Sequence, residues 1–398
     1  MARIGLESTD MSESKSIELL RTLVAFPTVS SDSNMELIHF IEKYLSDLGI
    51  SSQLFFNAEK TKANLFARIG PEPDASTKQH GVILSGHTDV VPVKGQAWSH
   101  DPFTLRQEGE RLFARGTCDM KGFIAIALSK VPDMIAANLN EPIYLAFSYD
   151  EEIGCIGVKD VVAHISKMKI RPRISIVGEP TTMDVINAHK GIRSYRTKIT
   201  GLAAHSSAPH LGANAIVAAA ELITYLGGVA EQAQSVADHR FMPPFTTFNI
   251  GTISGGLATN IIAEEAEFIW EFRSIPGFDG DKVVADFNQF ASETVLPKMQ
   301  LTAPNASIET TEQTNAPPLL ATDGSDAETF VMGLVGTNEL KTAAYTTEAG
   351  VFQHSGEISS VVCGPGNIDQ AHKPDEFIDI SEIERCEGFV DKLIVALS

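Results

Sequence analysis

Short apolar runs that alternate with helical stretches are the feature that most limits how this chain of 398 residues can fold. Runs rich in β-forming residues occupy positions 64–69, 82–85, 143–147 and 174–177. Helical periodicity is found between several of them, notably at 122–130 and 158–165. Strands that alternate with helices predict an α/β domain, in two or three layers, around a mainly parallel sheet.

A second unit is expected to begin near Gly191. Its predicted strands lie at 193–200, 245–253, 266–275 and 306–310, and its predicted helices at 214–226 and 281–294. Their order along the chain, βαββαβ, is the ferredoxin-like pattern.

The α/β pattern then resumes, with an apolar strand at 361–363 and a C-terminal helix from Ser381. We therefore predict a discontinuous catalytic domain of residues 1–190 and 313–398. An inserted α+β lid of the dimerisation type would occupy residues 191–312.

Charge and cysteine content restrict the partners and the compartment. The chain has 51 acidic and 31 basic residues, a net charge of −20, which argues against nucleic-acid or anionic-membrane partners because both need a basic face. Its four cysteines form no CxxC pair, which is typical of reduced cytosolic thiols. The first sixteen residues lack an apolar signal core, and no apolar run has the length of a membrane span. A cytoplasmic protein is expected.

Five clusters of histidine and acidic residues fall at the ends of predicted strands or in the loops nearby. They contain His87 and Asp89, Asp119, Asp150 to Glu152, Glu179, and His372. Sites in open α/β sheets form beyond the carboxyl ends of the strands, so these clusters could converge. Imidazole and carboxylate ligands without cysteine suit zinc, and also cobalt or manganese. The groups exceed the needs of one tetrahedral ion and would suit two ions about 3.5–4 Å apart.

Each cluster also has a simpler interpretation. Asp150, Glu151 and Glu152 fit a solvated acidic turn, Glu179 fits an ordinary strand end, and His372 alone fits a loop histidine. Spacing by itself therefore favours only a possible metal-dependent hydrolase.

The segments SGHTDVVP, RGTCDMKG, SYDEEIG, VGEPT and QAHKPDEF, in this order along nearly the whole chain, closely resemble the M20 family of metallohydrolases. The resemblance implies the residues of a two-zinc centre and its base. His87 and His372 would each bind one ion, Asp119 would bridge both, and Glu152 and Glu179 would complete the two sites. Glu151 would be the general base, Asp89 would orient His87, and the Asp119–Met120 peptide bond would be cis.

Three lid residues also match the family. His205, in GLAAHSS, resembles a histidine that reaches the active site of a neighbouring subunit in dimers, where it would stabilise the oxyanion. Asn260 and Arg273 match positions that hold the substrate carboxylate, for which the forked guanidinium of arginine is suited. The resemblance thus implies a homodimer formed through the lid. The alternatives are a solvent-exposed His205 and an Arg273 that only braces the lid.

Residues 345–353 and 361–366 look like the acetylornithine deacetylase branch of the family. This implies hydrolysis of N2-acetyl-L-ornithine to L-ornithine and acetate, a step of arginine biosynthesis. We hypothesise that Glu348 binds the δ-ammonium group of ornithine, although it could instead anchor its own loop. The alternatives are a succinyl-diaminopimelate desuccinylase, a broader N-acyl-amino-acid hydrolase or carboxypeptidase, and an inactive protein that binds an amino-acid derivative. The intact Glu151 argues against the last of these.

Overall fold

The computed structural model describes residues 14–398, so the expectation about an N-terminal signal lies largely outside the described part. The strands are β1 (Ser52–Phe56), β2 (Ala63–Ile69), β3 (Val82–His87), β4 (Arg106–Glu108), β5 (Arg111–Phe113), β6 (Ile143–Ser148), β7 (Ile174–Val177), β8 (Ile186–His189), β9 (Gly191–Thr200), β10 (Thr247–Gly255), β11 (Glu265–Ser274), β12 (Ser307–Ala316), β13 (Lys341–Ala343), β14 (Ser359–Val362) and β15 (Phe377–Asp379). The α-helices are α1 (Lys15–Val24), α2 (Met35–Asp47), α3 (Lys121–Ser129), α4 (Val131–Ala136), α5 (Val158–Ile165), α6 (Ala215–Ala233), α7 (Gly280–Phe290), α8 (Leu296–Gln300), α9 (Asp326–Val335), α10 (Ala349–Gly356) and α11 (Ile380–Ala396).

The chain folds into two compact units. The first comprises the described residues up to Tyr149, together with Ile176–Asp184 and Cys363–Ser398. Its sheet has the order β1-β2-β6-β3, in which β3 and β6 are parallel and His87 pairs with Ser148. The Gly178 amide, just after β7, donates to the Ser85 carbonyl of β3 at 3.0 Å. The carboxyl ends of β6, β3 and β7 therefore lie at one edge.

Continuous apolar sequence explains why the strands of the first unit are buried. All residues of β3 and β6 are buried, as expected for strands covered on both faces. The helix α3 has the sequence KGFIAIALS, is buried over Lys121 to Leu128, and packs against α1 and α11. A separate three-stranded sheet, β15-β5-β4, completes the unit.

The second unit comprises Asp150–Ser175 and Val185–Val362. It contains the strand order β14-β8-β13 and an antiparallel sheet, β10-β11-β9-β12. Alternate residues of β11, including Phe268, Trp270 and Phe272, are buried in a core that α6 and α7 share. One face of this sheet is therefore covered by helices and the other is more exposed, which is the ordinary arrangement of an α+β layer.

The predicted fold class, an α/β catalytic domain with a mainly parallel sheet and a small α+β lid, is confirmed. The lid elements follow the expected βαββαβ order. The predicted boundaries 1–190, 191–312 and 313–398 remain a prediction. No helix within residues 14–398 is both long and apolar enough to span a bilayer.

One lid helix differs from its prediction. The helix expected over 281–294 ends as α7 at Phe290 and continues as a π-helical segment, Ala291–Val295, before α8 begins. Pro297 accounts for the change, because proline has no N–H and its ring clashes with the carbonyl four residues earlier in a regular helix.

Candidate metal centre

His87 is the last residue of β3 and only 1% of its surface is exposed. Its Nδ1 atom lies 2.9 Å from the main-chain carbonyl of Asp89, so Nδ1 carries the proton. The Asp89 carboxylate lies farther away, at 3.6 Å from Nδ1, and accepts a hydrogen bond from the Ser30 hydroxyl at 2.7 Å. The main-chain carbonyl of Asp89 therefore anchors the His87 ring. The buried Asp89 carboxylate is held by Ser30 and makes only a longer contact with the ring.

Asp119 lies between two imidazole rings. Its Oδ1 atom is 3.0 Å from His87 Nε2, and its Oδ2 atom is 3.3 Å from His372 Nε2. The peptide bond from Asp119 to Met120 is cis, as the family resemblance implied. A carboxylate that offers one oxygen to each of two histidines has the arrangement needed to bridge two ions.

Glu179 follows β7 and brings a second carboxylate to His87. Its Oε1 atom lies 3.6 Å from His87 Nε2. Gly178 makes this approach possible, because a Cβ atom at that position would lie 2.1 Å from the Phe123 ring of α3. Only glycine allows the end of β7 to lie this close to the helix.

The arrangement around His87 Nε2 requires a positive charge. With the proton on Nδ1, a neutral ring directs a lone pair at the oxygens of Asp119 and Glu179, and three acceptors repel one another unless a proton or a metal ion lies between them. Imidazole nitrogen and carboxylate oxygen are ligands that zinc, cobalt and manganese accept. Among the described residues of the first unit, His87, Asp119 and Glu179 all belong to groups that could hold a metal ion. The residues present therefore fit a divalent metal centre.

Attraction between imidazole and carboxylate groups shifts the pKa values of His87 and Asp119. Burial alone lowers the pKa of His87, but attraction to Glu179, Asp119 and Asp89 outweighs burial and raises it well above its usual value. Burial raises the pKa of Asp119, but hydrogen bonds from His372 and His87 hold the pKa of that carboxyl well below its usual range. The two opposite shifts record the mutual attraction between the imidazole rings and the carboxylates that face them.

Glu376 and Arg115 belong to the quoted motifs, but sequence reasoning did not single them out. Glu376 is buried and forms an ion pair with the buried Arg115 at 2.7 Å. Its Oε1 atom also accepts the amide hydrogens of Cys118 at 2.9 Å and Asp119 at 3.1 Å. This pair fixes the main chain that carries Asp119. The sequence signal that could have revealed this ion pair was an arginine in one of the site motifs and a glutamate in another.

Glu151 and Glu152 lie in the loop after β6, whose last residue pairs with His87. Both side chains are half-buried. The Cys155 thiol donates to Glu151 Oε1 at 3.3 Å, and the Thr314 hydroxyl of β12 donates to the Ile153 carbonyl at 3.0 Å. The loop therefore has its own supporting contacts within the second unit.

Two of the three predicted lid residues lie together. The Ser206 amide donates to the Asn260 carbonyl at 3.0 Å, which brings the loop of His205 beside Asn260. Both residues are exposed. Arg273 is partly exposed, pairs with Glu271 at 3.1 Å, and lies eight residues beyond the start of β11. At about 3.3 Å per residue, that is roughly 26 Å along the strand.

Glu348 is buried and immediately precedes α10. Its main-chain carbonyl accepts the amide hydrogens of Val351 at 2.9 Å and Phe352 at 3.0 Å. These bonds form the first turn of the helix. The suggested contact of the Glu348 carboxylate with the substrate stays a prediction.

Comparison with known sequences gives one consistent family. Residues 83–396 match the profile of peptidase family M20/M25/M40. The chain is 34% identical over 388 residues to the acetylornithine deacetylase of Yersinia pseudotuberculosis serotype O:1b (strain IP 31758), covering 95% of this chain and 96% of that protein. It is also 34% identical over 386 residues to the acetylornithine deacetylase of Proteus mirabilis (strain HI4320), covering 95% of each.

Solved structures share the fold at lower identity. An M20 family metallo-carboxypeptidase from Sulfolobus solfataricus has a TM-score of 0.76 at 18% identity, covering 96% of this chain and 99% of that one. A dinuclear metal-binding peptidase of the M20 family from Bacillus subtilis has a TM-score of 0.63 at 16% identity, covering 96% and 97%.

Proposed function

Because the chain belongs to peptidase family M20/M25/M40, we propose that it is a two-metal amidohydrolase that converts N2-acetyl-L-ornithine and water to L-ornithine and acetate. The relatives named acetylornithine deacetylase, which match 95% of the chain, support this choice of substrate within a family of hydrolases acting on small peptide-like amides. Arginine biosynthesis follows from those names. Location in the cytoplasm remains a prediction from the sequence.

The observation that carries the proposal is the buried carboxylate of Asp119 between His87 and His372. The ions would be held by His87, Asp119, Glu152, Glu179 and His372. Zinc is the first choice of metal, with cobalt or manganese as alternatives that the same ligands accept. When bound by these residues, two such ions would supply Lewis-acid chemistry, which polarises an amide carbonyl and lowers the pKa of a water molecule toward about 7.

Glu151 has the role of general base in this proposal. It accepts a proton from the attacking water and delivers that proton to the leaving nitrogen of ornithine. Its neighbour in sequence, Glu152, is assigned to the metal instead. Asp89 supports the ring of His87 through its main-chain carbonyl, as the 2.9 Å contact with Nδ1 suggests.

His205 and Asn260 are assigned to substrate binding across a homodimer. They lie at the loop beside β10, one of the two edge strands of the lid sheet, whose outer edge is unpaired within the described residues. Large apolar side chains are exposed there, with Ile253 at 56%, Leu257 at 93% and Ile261 at 41%. An exposed, apolar strand edge favours pairing with another chain, and a second copy on this edge would lie next to His205.

A hydrogen bond at Nδ1 of His205 supports its proposed role as the oxyanion donor. The Ser207 amide donates to that atom at 3.1 Å, which leaves Nε2 as the ring nitrogen that would donate to the oxyanion. Arg273 would bind the substrate carboxylate and Glu348 the δ-ammonium group. These last two assignments come from the resemblance and from charge complementarity.

The test is a parallel assay of zinc-loaded protein with N-acetyl-L-ornithine, N-acetyl-L-methionine and N-succinyl-diaminopimelate. We expect the fastest turnover with N-acetyl-L-ornithine, loss of that turnover with a chelator, and its return when zinc is restored. Glu348→Gln should reduce the preference for the cationic side chain over methionine.

Each outcome separates one part of the proposal from the rest. Faster turnover of another acyl amino acid would retain the metal centre and reject the substrate. Turnover that survives complete metal removal would reject the metal-dependent mechanism. Two tightly bound ions without turnover of any of the three amides would favour a binding protein.

A further inference from the structure

The loop 96–99 is bonded to the segment that carries His372. The Gln96 side-chain amide donates to the His372 main-chain carbonyl at 2.9 Å. Three residues farther along, the amide and the hydroxyl of Ser99 donate to the Asp375 carboxylate at 3.1 and 2.7 Å. Two independent contacts therefore join these loops, and only the first of them involves a candidate metal ligand.

The other end of the Gln96 amide faces the interior. Its Oε1 atom accepts hydrogen bonds from Arg115 Nη2 at 2.6 Å and from Trp98 Nε1 at 3.0 Å. Arg115 is only 1% exposed, and its guanidinium lies 5.0 Å from the centre of the Trp98 ring. Gln96 thus uses its oxygen to hold a buried cation and its nitrogen to hold a main-chain carbonyl.

Arg115 extends the connection to Asp119. Its Nη1 atom donates to Glu376 Oε2 at 2.7 Å, and Glu376 Oε1 accepts the Asp119 amide hydrogen at 3.1 Å. A continuous chain of hydrogen bonds therefore runs from the His372 carbonyl through Gln96, Arg115 and Glu376 to the main chain of Asp119. It connects two metal ligands that are 253 positions apart in the sequence.

We propose that Gln96 is a positioning residue of the metal centre, which holds the main chain of His372 at the distance from Asp119 that a second ion requires. This inference rests on the proposed two-metal function. His372 needs such support because its side chain is 57% exposed and its backbone has a positive φ of 63°, so neither burial nor ordinary backbone preference fixes it. His87, in contrast, is fixed by a buried strand.

Glutamine is specifically suited to this position. Its oxygen takes two donors and its nitrogen supplies one donor, so a single planar group satisfies three partners. Glutamate offers the acceptor without the donor, and methionine has a similar length and offers neither. These two substitutions separate the two functions of the amide.

The experiment compares Gln96→Glu, Gln96→Met and the control Ser99→Ala in zinc titrations of the metal-free full chain by calorimetry. Gln96→Glu keeps an acceptor for Arg115 and Trp98 but loses the donor to His372. We expect the affinity for one of the two ions to fall about 10- to 100-fold, as is usual when a group that supports a metal ligand is removed, with the other ion bound within about twofold of wild type. Gln96→Met should show the same loss, and Ser99→Ala none.

Two further readouts exclude a general structural effect. The melting temperature of the metal-free Gln96→Glu protein should match that of the wild type, and turnover should recover as zinc is raised. The added negative charge would by itself tighten both ions, so loss at one ion is not a charge effect.

The possible failures can be distinguished. If Gln96→Glu binds both ions as the wild type does and only Gln96→Met is impaired, Gln96 merely pairs Arg115 and the inference is wrong. If the wild type itself binds fewer than two ions, the proposed two-metal centre fails and the inference fails with it.

Discussion

His87 and His189 are two buried imidazoles with almost the same local structure. His87 ends β3 in the first unit and His189 ends β8 in the second. In each ring Nδ1 lies 2.9 Å from a nearby main-chain carbonyl, that of Asp89 or that of Lys190. Burial and the contact of Nδ1 with a carbonyl are therefore alike, although Nδ1 of His189 also accepts the Leu319 amide hydrogen at 3.4 Å.

The difference lies at the second nitrogen. Nε2 of His87 faces the carboxylates of Asp119 and Glu179, whereas Nε2 of His189 has no hydrogen-bond partner among the described residues. Negative charge raises the pKa of His87, while burial lowers the pKa of His189 to about 4. A buried histidine at a strand end is thus a cation site only when acids face its free nitrogen.

The largest effect is expected from Asp119→Asn, which removes charge from both histidines of the centre. Removing only a supporting group costs about 10- to 100-fold in metal affinity, so loss of the bridging carboxylate should cost more than about 100-fold for both ions. Turnover should fall to background. Equilibrium dialysis with zinc measures the affinities, and Asp74→Asn, at an exposed aspartate, is the matched control. Retention of two tightly bound ions by Asp119→Asn would contradict the bridging role.

Glu151→Gln should abolish proton transfer and leave the metal in place. General acid–base catalysis contributes about 10²- to 10⁴-fold, so we expect kcat to fall about 10³-fold with unchanged zinc content. The adjacent substitution Glu152→Gln is the comparison, because it should lose zinc as well as turnover. If Glu151→Gln also loses zinc, or both variants keep it, the division of roles between these neighbours is wrong.

The strand-end cluster could be predicted because its position follows from sheet topology. His87 and Glu179 come directly after apolar runs, and the parallel strands bring their ends to one edge. Glu376 and Arg115 were missed for a physical reason. A buried ion pair and two solvated charges look the same in a sequence, and only burial of both partners distinguishes them.

The lid also shows which features could be predicted from the sequence and which could not. The order of its strands and helices followed from hydrophobic periodicity, and the structure confirms it. The π-helical segment at Ala291–Val295 did not, since it depends on how one proline is accommodated within a helix. Nor could the sequence reveal that Arg273 lies far along β11 from the loop of Asn260, because that distance depends on strand extent.

His189 should make the stability of the protein depend on pH in the acid range. Its folded pKa of about 4 lies below the usual value near 6.5, so between these values the unfolded chain binds a proton that the folded protein does not. Stability should therefore fall as the pH decreases from 6.5 to 4, by at most about 3 kcal/mol. Urea unfolding of the wild type and of His189→Gln across this range isolates the effect from carboxylate titration. Parallel pH curves for the two proteins would show that His189 is not a neutral buried ring.

The smallest effect is expected from His205→Ala, because His205 is exposed and is not one of the proposed metal ligands. Loss of one oxyanion donor costs about 10²- to 10³-fold in kcat, and we expect the lower value with unchanged zinc content and melting temperature. His210→Ala, in the same lid loop, is the matched control and should retain wild-type kcat. Mixing His205→Ala with Glu151→Gln subunits should restore turnover if His205 acts across a dimer, since one site of each mixed dimer then has both groups. No recovery in subunits that exchange would instead place His205 in its own subunit's site, and wild-type kcat in His205→Ala would remove it from the reaction.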